Sequence, residues 1–559
     1  MASLIQPHLN FAPISLGKEP DMNELPTADC YPVTVAPGQS RLFLDFCAGE
    51  AGMREFYPSL PQENGWQARP PVPAHWPELV KLLAAQNTAQ SAAPALAALD
   101  KGAGAVVTGQ QVGLFGGPLY TPLKAATALG RARRATKGGN PHAAVFWLAT
   151  EDHDFAEIDH VVFPGRRELR KLAYTSSPET ARPVGDVVLD DAILPLIDEA
   201  WELLGPSEAM ETLASAYKPG RTFAQAFAEF YSWVFGAQGL LVLDAGGRDV
   251  HRMGAPVLRA ALERADELHA ALLDRNRELE SVGYHAQVAV TPQSSLLFLM
   301  EERSRARIAL KRLAPTAQEP KGLWQAGRQN FSTNELLGIL DSAPERISPA
   351  ALLRPVFQDF LLSTSAIVGG PAEIAYFAQS AVLYERILGR VTPALPRFSA
   401  TLVEPAIAEL LRQHELTVER IFAETADSLA KILAARSMPI EGKRKLAAAG
   451  KGLDAELAPL LDWMRTLDAG LGRSAETAAS KMRYQMNRLR NLAANFQLQR
   501  EASLGRHAGA LSQALYPEGI LQERVLGAAW FFARHGRELA EELTLRAESS
   551  SIGHTVLWL

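Results

Sequence analysis

The sequence predicts an α/β protein: a doubly wound parallel sheet, interrupted by insertions and followed by a long α-helical coiled-coil arm. Three observations lead there. Continuous apolar runs such as AAVFWLAT (143–150) and GLLVLDA (239–245) fit strands buried on both faces rather than one. A short strand at 104–107 feeds a glycine-rich passage and then a helix to about Thr136, which is how a right-handed strand–helix–strand unit begins. Between 402 and 504 the apolar residues step by four and three, as along the seam of a coiled coil.

Taken in order, residues 1–100 read as a mostly helical lead-in. LFLDFCAGEAGMREFYP (42–58) is a short helix pair, PPVPAHWP (70–77) an extended connector, and 78–102 a helix closing at Gly102. The core then occupies 101–164, 226–300 and 351–401. Insertions fall at 165–225, polar and partly strand-like before turning helical, and at 301–350, with strand-and-loop texture already visible from 283. The arm spans 402–510. Its seams are Val418, Phe422, Thr425, Leu429 and Ile432, then Leu453, Leu457, Leu460, Met464 and Leu467, then Met482, Met486, Leu489, Ala493 and Phe496. Stripes at this spacing are packing surfaces and ask for no cofactor. The last part, 511–559, is a helix and an extended tail, HTVLWL, packing on the core.

A chain of 559 residues exceeds what one hydrophobic core usually supports. With 47% hydrophobic and 21% charged residues and a formal charge of −6, it gives no general reason to expect nucleic acid or an anionic membrane as partner. The basic run from Arg473 to Arg506 reads as a solvated helix flank. Two cysteines, Cys30 and Cys47, are too few for a disulfide framework or structural zinc site. MASLIQPHLNFAPISLG lacks the pattern of a leader, and no run of apolar residues reaches spanning length, so the expected location is the cytoplasm.

Ligands of open α/β sheets bind beyond the carboxyl ends of the strands. Two stretches land there. In VVTGQQVGLFGGPLYTPLKA (106–125) the Thr108, Gly109, Gln110, Gln111 loop offers close backbone approach and two amides suited to hydroxyl or amide groups. Lys124 offers a point charge to phosphate or carboxylate. In TEDHDFAEIDH (150–160), Glu151, Asp152 and Asp154 surround His153; such density should raise the imidazole's proton affinity, hold an ammonium or Mg²⁺, and let His153 serve as general base. The spacing matches no standard zinc signature, and no protein-held metal is expected. A third turn, VGGPAEIAYFAQ (368–379), brings Gly369, Gly370, Glu373 and Tyr376, the last two on one helix face. Arg397 and Ser399 follow in LPRFSATLVE (395–404) as anion-binding candidates.

Together, VVTGQQVGLFGGPLYTPLKA, FWLATEDHDFAEIDHV, LLRPVFQDFLLSTSAIVGGPAEIAYFAQ and PRFSATLVEP, in this order and with LFLDF near the start, resemble the bacillithiol-biosynthesis cysteine-adding enzymes. The resemblance implies a Rossmann-like core with connecting-peptide insertions and a coiled-coil arm that pairs two subunits into a homodimer. It implies that the carboxyl group of L-cysteine is joined to the amine of glucosaminyl-malate, with an adenine nucleotide (ATP or ADP) bound. The related nucleotidylyltransferases carry a His-x-Gly-His signature after their first strand; here Phe115, Gly116, Gly117 and Pro118 stand in its place. Two other readings stay open: an enzyme acting on another small amine or acid, and a dimeric nucleotide- or thiol-binding scaffold without catalysis.

Overall fold

The computed structural model describes residues 27–165, 168–178, 180–314, 322–549 and 551–559; the stretch read for a leader lies outside them. Five strands make the core sheet: β1 (Gly104–Gln110), β2 (His142–Leu148), β3 (Leu241–Asp244), β4 (Thr364–Gly369) and β5 (Ala394–Pro396). They lie in the order β5-β4-β1-β2-β3, every pair parallel. From the other edge this is 3-2-1-4-5, the Rossmann order, in which the winding reverses between β1 and β4. The continuous apolar runs have the expected cause. Val106, Phe146, Val242 and Val368 enter one hydrophobic cluster, while Val107, Val145, Leu241 and Leu243 enter another on the opposite face. Helix α1 (Tyr120–Lys137) connects β1 to β2, and α2 (Pro371–Leu388) follows β4.

β1 runs further than its apolar residues suggest. Gly109 and Gln110 pair with Trp147 and Leu148, so the segment expected as a loop from Thr108 is the strand's carboxyl end. The insertions also begin elsewhere than expected. His160–Pro164 pairs antiparallel with Leu169–Ala173, placing the 164/165 boundary inside a hairpin. Ser294–Met300, expected in the core, pairs antiparallel with both Arg307–Arg312 and Ile347–Pro349 in a separate five-stranded sheet.

The first predicted seam is two short helices, Val418–Phe422 and Ala426–Ser437. Thr425 ends the run by accepting a hydrogen bond from the Ser428 N–H as an N-cap. The arm proper is α3 (Ile440–Leu467) against α4 (Ala469–Arg500), joined through Leu457, Leu461 and Ala479. Leu467, Met482, Leu489 and Phe496, expected in the seam, are 57%, 53%, 55% and 61% exposed. A two-helix hairpin buries one face of each helix and leaves this second stripe uncovered. After Tyr516 the expected single helix is three, Gln522–Val525, Ala528–His535 and Glu538–Ser549. Its first break is fixed where Gly527 bridges Pro118 and Leu526 bridges Val162. The tail strand His554–Trp558 lies between Ala28–Tyr31 and Ser399–Val403. Among the described residues, no helix is long and apolar enough to cross a membrane.

Candidate active site

A cavity of about 370 Å³ opens where the winding reverses, beyond the carboxyl ends of β1 and β4. β1 delivers Gly109, Gln110 and Gln111; the turn after β2 delivers Asp152; the β4–α2 turn delivers Gly370, Glu373 and Tyr376. α1 contributes Tyr120 and Lys124, the helix Arg354–Leu362 contributes Arg354 and Gln358, and Arg524 reaches in from Gln522–Val525.

The amide loop and the acidic segment do meet: Gln111 Nε2 donates to Asp152 Oδ2 at 2.9 Å. Asp152 also accepts the His153 N–H at 2.7 Å and lies 3.9 Å from Arg354 Nη1. Burial would raise its carboxyl, but Arg354, Arg307 and these donors outweigh it and hold the group below the usual carboxylate range. Asp152 is therefore a fixed negative charge.

The rest of the acidic cluster disperses. Glu151 turns inward to pair with the buried His251 at 2.7 Å, and Asp154 is exposed. His153 does not line the cavity. Its ring lies 5.4 Å from that of Phe298, and Arg307 Nη1 approaches Nδ1 at 3.3 Å. Burial first, and then the Arg307 charge brought by the insertion sheet, lower its proton affinity against the opposing pull of Asp152 and Asp154, the reverse of the expected rise. An arginine can only donate, so Nδ1 accepts and the neutral ring carries its proton on Nε2. That leaves His153 unsuited as a base.

The expected anion binders are already occupied. Lys124 Nζ meets Glu373 Oε2 at 2.6 Å, the Gly109 carbonyl at 3.0 Å and Gln110 Oε1 at 2.9 Å, which uses all three of its donors. Arg397 lines the cavity but is anchored by Glu523 and the Phe398 carbonyl. Ser399 bonds Glu523 and His554 Nδ1 within the same buried network and does not reach the cavity. These side chains hold the walls of the cavity together.

Thr108 and Gly369 are likewise structural. The Thr108 hydroxyl donates to the Val368 carbonyl across the β1–β4 junction, and a Cβ on Gly369 would lie 2.8 Å from the Phe377 ring. The Gly113–Gly117 passage also stays out of the cavity. Gly116, at φ +82°, is clamped between the hydroxyls of Tyr217 and Tyr231, and a Cβ there would meet the Phe230 ring at 2.5 Å. The close approach that glycine permits is to aromatic side chains.

The cavity's uncommitted groups are largely ones that local pattern did not single out. Arg354 has only its long contact to Asp152. Among the described residues, the Arg524 guanidinium, the Gln358 side-chain amide and the Tyr376 hydroxyl have no hydrogen-bond partner. Arg354 and Gln358 sit in LLRPVFQDF, where the proline at the helix start was the only visible cue.

A family model described as the bacillithiol biosynthesis BshC N-terminal Rossmann-like domain matches residues 28–398, and one for the BshC C-terminal coiled-coil domain matches 400–559. The chain belongs to the BshC family. Relatives named "Putative cysteine ligase BshC" include that of Koribacter versatilis, 41% identical over 92% of this chain and 97% of the relative. Those of Solibacter usitatus and Geobacillus kaustophilus are 35% and 29% identical, over 93% and 81% of this chain and 98% and 84% of theirs. The BshC fold assignment agrees with the parallel sheet and helical arm, and the chain is an enzyme of the ligase class. Among the described residues no three His, Cys, Asp or Glu side chains converge to hold a metal. Of the carboxylates lining the cleft, Glu373 is taken by Lys124 and the Gly370 N–H.

Proposed function

We propose that this chain forms the amide between the carboxyl group of L-cysteine and the amine of glucosaminyl-malate, with ATP activating the carboxyl. The observation that carries the reading is one cleft pairing a fixed carboxylate, Asp152, with the unsaturated guanidinium of Arg354 and the amides of Gln111 and Gln358. Asp152 pairs with the amine end of the sugar acid and orients its nitrogen; Arg354 meets a malate carboxylate; the amides suit sugar hydroxyls. The names of the relatives support cysteine as the second reactant. The uncovered stripe of α3 and α4, with Trp463, Leu467, Leu489 and Phe496 exposed, supports pairing of two arms in a homodimer.

Incubating the purified chain with L-cysteine, glucosaminyl-malate and ATP, with mass-spectrometric detection of bacillithiol, tests the reading. Product should form, with either AMP or ADP released; its absence from folded protein overturns the proposal. Turnover of a different amine or acid favours the second enzyme reading, and binding of glucosaminyl-malate without turnover favours the scaffold.

A further inference from the structure

The turn that carries Asp152 is tied on both sides to one strand of the second five-stranded sheet. Before it, Glu151 meets His251 Nε2 at 2.7 Å, and His251 Nδ1 donates to the Ile347 carbonyl at 2.9 Å. After it, His153 Nδ1 accepts from Arg307, whose Nε donates to Ser348 Oγ and whose Nη2 donates to the Pro349 carbonyl, both at 2.9 Å. His153 passes the restraint on, because its backbone N–H donates to Asp152 Oδ1 at 2.7 Å. Ile347–Pro349 is an edge strand of that sheet. It also leads into another wall of the cleft. The Ala350 N–H donates to the Leu296 carbonyl, and the Ala350 carbonyl accepts the N–H of Arg354, which opens the helix bearing Gln358.

Arg307 is the costly part of this joint. It begins the strand Arg307–Arg312, two places in from that edge, and its guanidinium reaches Ser348 and Pro349 by crossing the Phe298 ring at 3.8 Å. Arg307 is 8% exposed, and among the described residues no carboxylate comes within ion-pairing distance of it. The acids whose charge it feels are Glu151 and Asp152. Burying an unpaired cation is unfavourable, and a joint that only fastened the insertion would be better served by a neutral or paired side chain. Here both the fork and the charge are turned toward the Glu151–His153 turn.

We propose that Arg307 is a positioning residue for the reaction, holding the Glu151–His153 turn from the inserted sheet so that the Asp152 carboxylate stands at a fixed place in the cleft. It touches no reactant and acts through His153. The inference rests on the ligase reading for what Asp152 does, but not for how the turn is held.

Steady-state kinetics of the full-length chain, with each reactant varied in turn, test it. Arg307→Met keeps an unbranched stem over Phe298 and removes the fork and the charge. It should lower kcat/KM for the amine reactant by about 30-fold or more, while KM for L-cysteine changes less than about twofold. Arg307→Lys, which keeps the charge without the fork, should recover part of the loss. An Arg307→Met variant within about threefold of the unmodified chain for the amine, an equal rise in both KM values, or a lysine variant no better than methionine overturns the proposal. If Arg307→Met does not fold, Arg307→Lys is read by the same split: a loss confined to the amine supports the proposal, and unchanged kinetics overturn it. Absence of bacillithiol from the unmodified, folded chain counts against the ligase reading. The tether is then read by amide hydrogen exchange in peptides covering 150–156, which should accelerate about tenfold or more in the methionine or lysine variant; unchanged exchange overturns the tether itself.

Discussion

Replacing Lys124 by Met keeps the aliphatic stem and removes the ammonium that joins β1 to the start of α2. The Lys124 side chain is 6% exposed and that of Glu373 22%, so this ion pair is shielded from solvent. The substitution removes the ammonium from the Gly109 carbonyl, Gln110 Oε1 and Glu373 Oε2, of which Glu373 Oε2 keeps the Gly370 N–H at 2.8 Å. Breaking a buried pair from one side costs about 3–5 kcal/mol; the retained donor and residual water contact place this case near 3 kcal/mol. In so large a chain the effect is best read locally. Amide hydrogen exchange in peptides covering 104–112 and 364–372 should accelerate by about 100–200-fold where local opening governs exchange. The double variant Lys124→Met/Glu373→Gln, which also removes the stranded charge, should recover most of that change. Acceleration below about threefold in the single variant would refute the claim that this pair ties the two strand ends together.

Asp152→Asn should lower kcat/KM for the amine reactant by about two orders of magnitude or more while leaving the far-ultraviolet circular dichroism unchanged. Because Arg354 helps hold the Asp152 carboxyl down, its charge persists above the ordinary value near 3.9 and is lost only as pH falls through a lower one. Arg354→Gln should therefore move the acid limb of the pH profile upward, and an unmoved limb would dissociate the two residues. Within the Glu151–His251 pair, burial opposes the charge of His251 but Glu151 outweighs it, so its proton affinity is raised. The stability it contributes is complete below about pH 6.5 and is lost as pH rises through the folded value. The gap in denaturation midpoint between the unmodified chain and Glu151→Gln should thus narrow from about pH 6.5 upward; a gap that widens contradicts the pair. Finally, Leu489→Glu with Phe496→Glu should convert a dimer to a monomer in light scattering without loss of helix, and a monomeric unmodified chain would remove the pairing.

The sheet was legible because burial on both faces leaves a direct mark: Val145 and Phe146 point to opposite layers, and both must be apolar. Half of the cleft was legible for a related reason, since Gln111 and Asp152 each follow a core strand and parallel strands bring such positions to one rim. What stayed hidden comes from segments distant in sequence. Arg307 arrives on an insertion strand and adds to the burial that lowers the proton affinity of His153, and Arg524 arrives on a four-residue helix with no local signature. Apolar spacing likewise placed the arm but not its facing, because the same periodicity serves a hairpin and a pairing of hairpins alike.

The three-stranded sheet at the root of the arm joins Ala28–Tyr31, Ser399–Val403 and His554–Trp558. Its middle member is the last of the three to leave the ribosome. Both flanking strands therefore wait, each with an unpaired inner edge, while the whole excursion of α3 and α4 is made. Closing this clasp is a long-range event that local helix formation cannot hasten. Nascent chains arrested before residue 554 should accordingly carry two adhesive edges, the state in which this protein has most need of a chaperone.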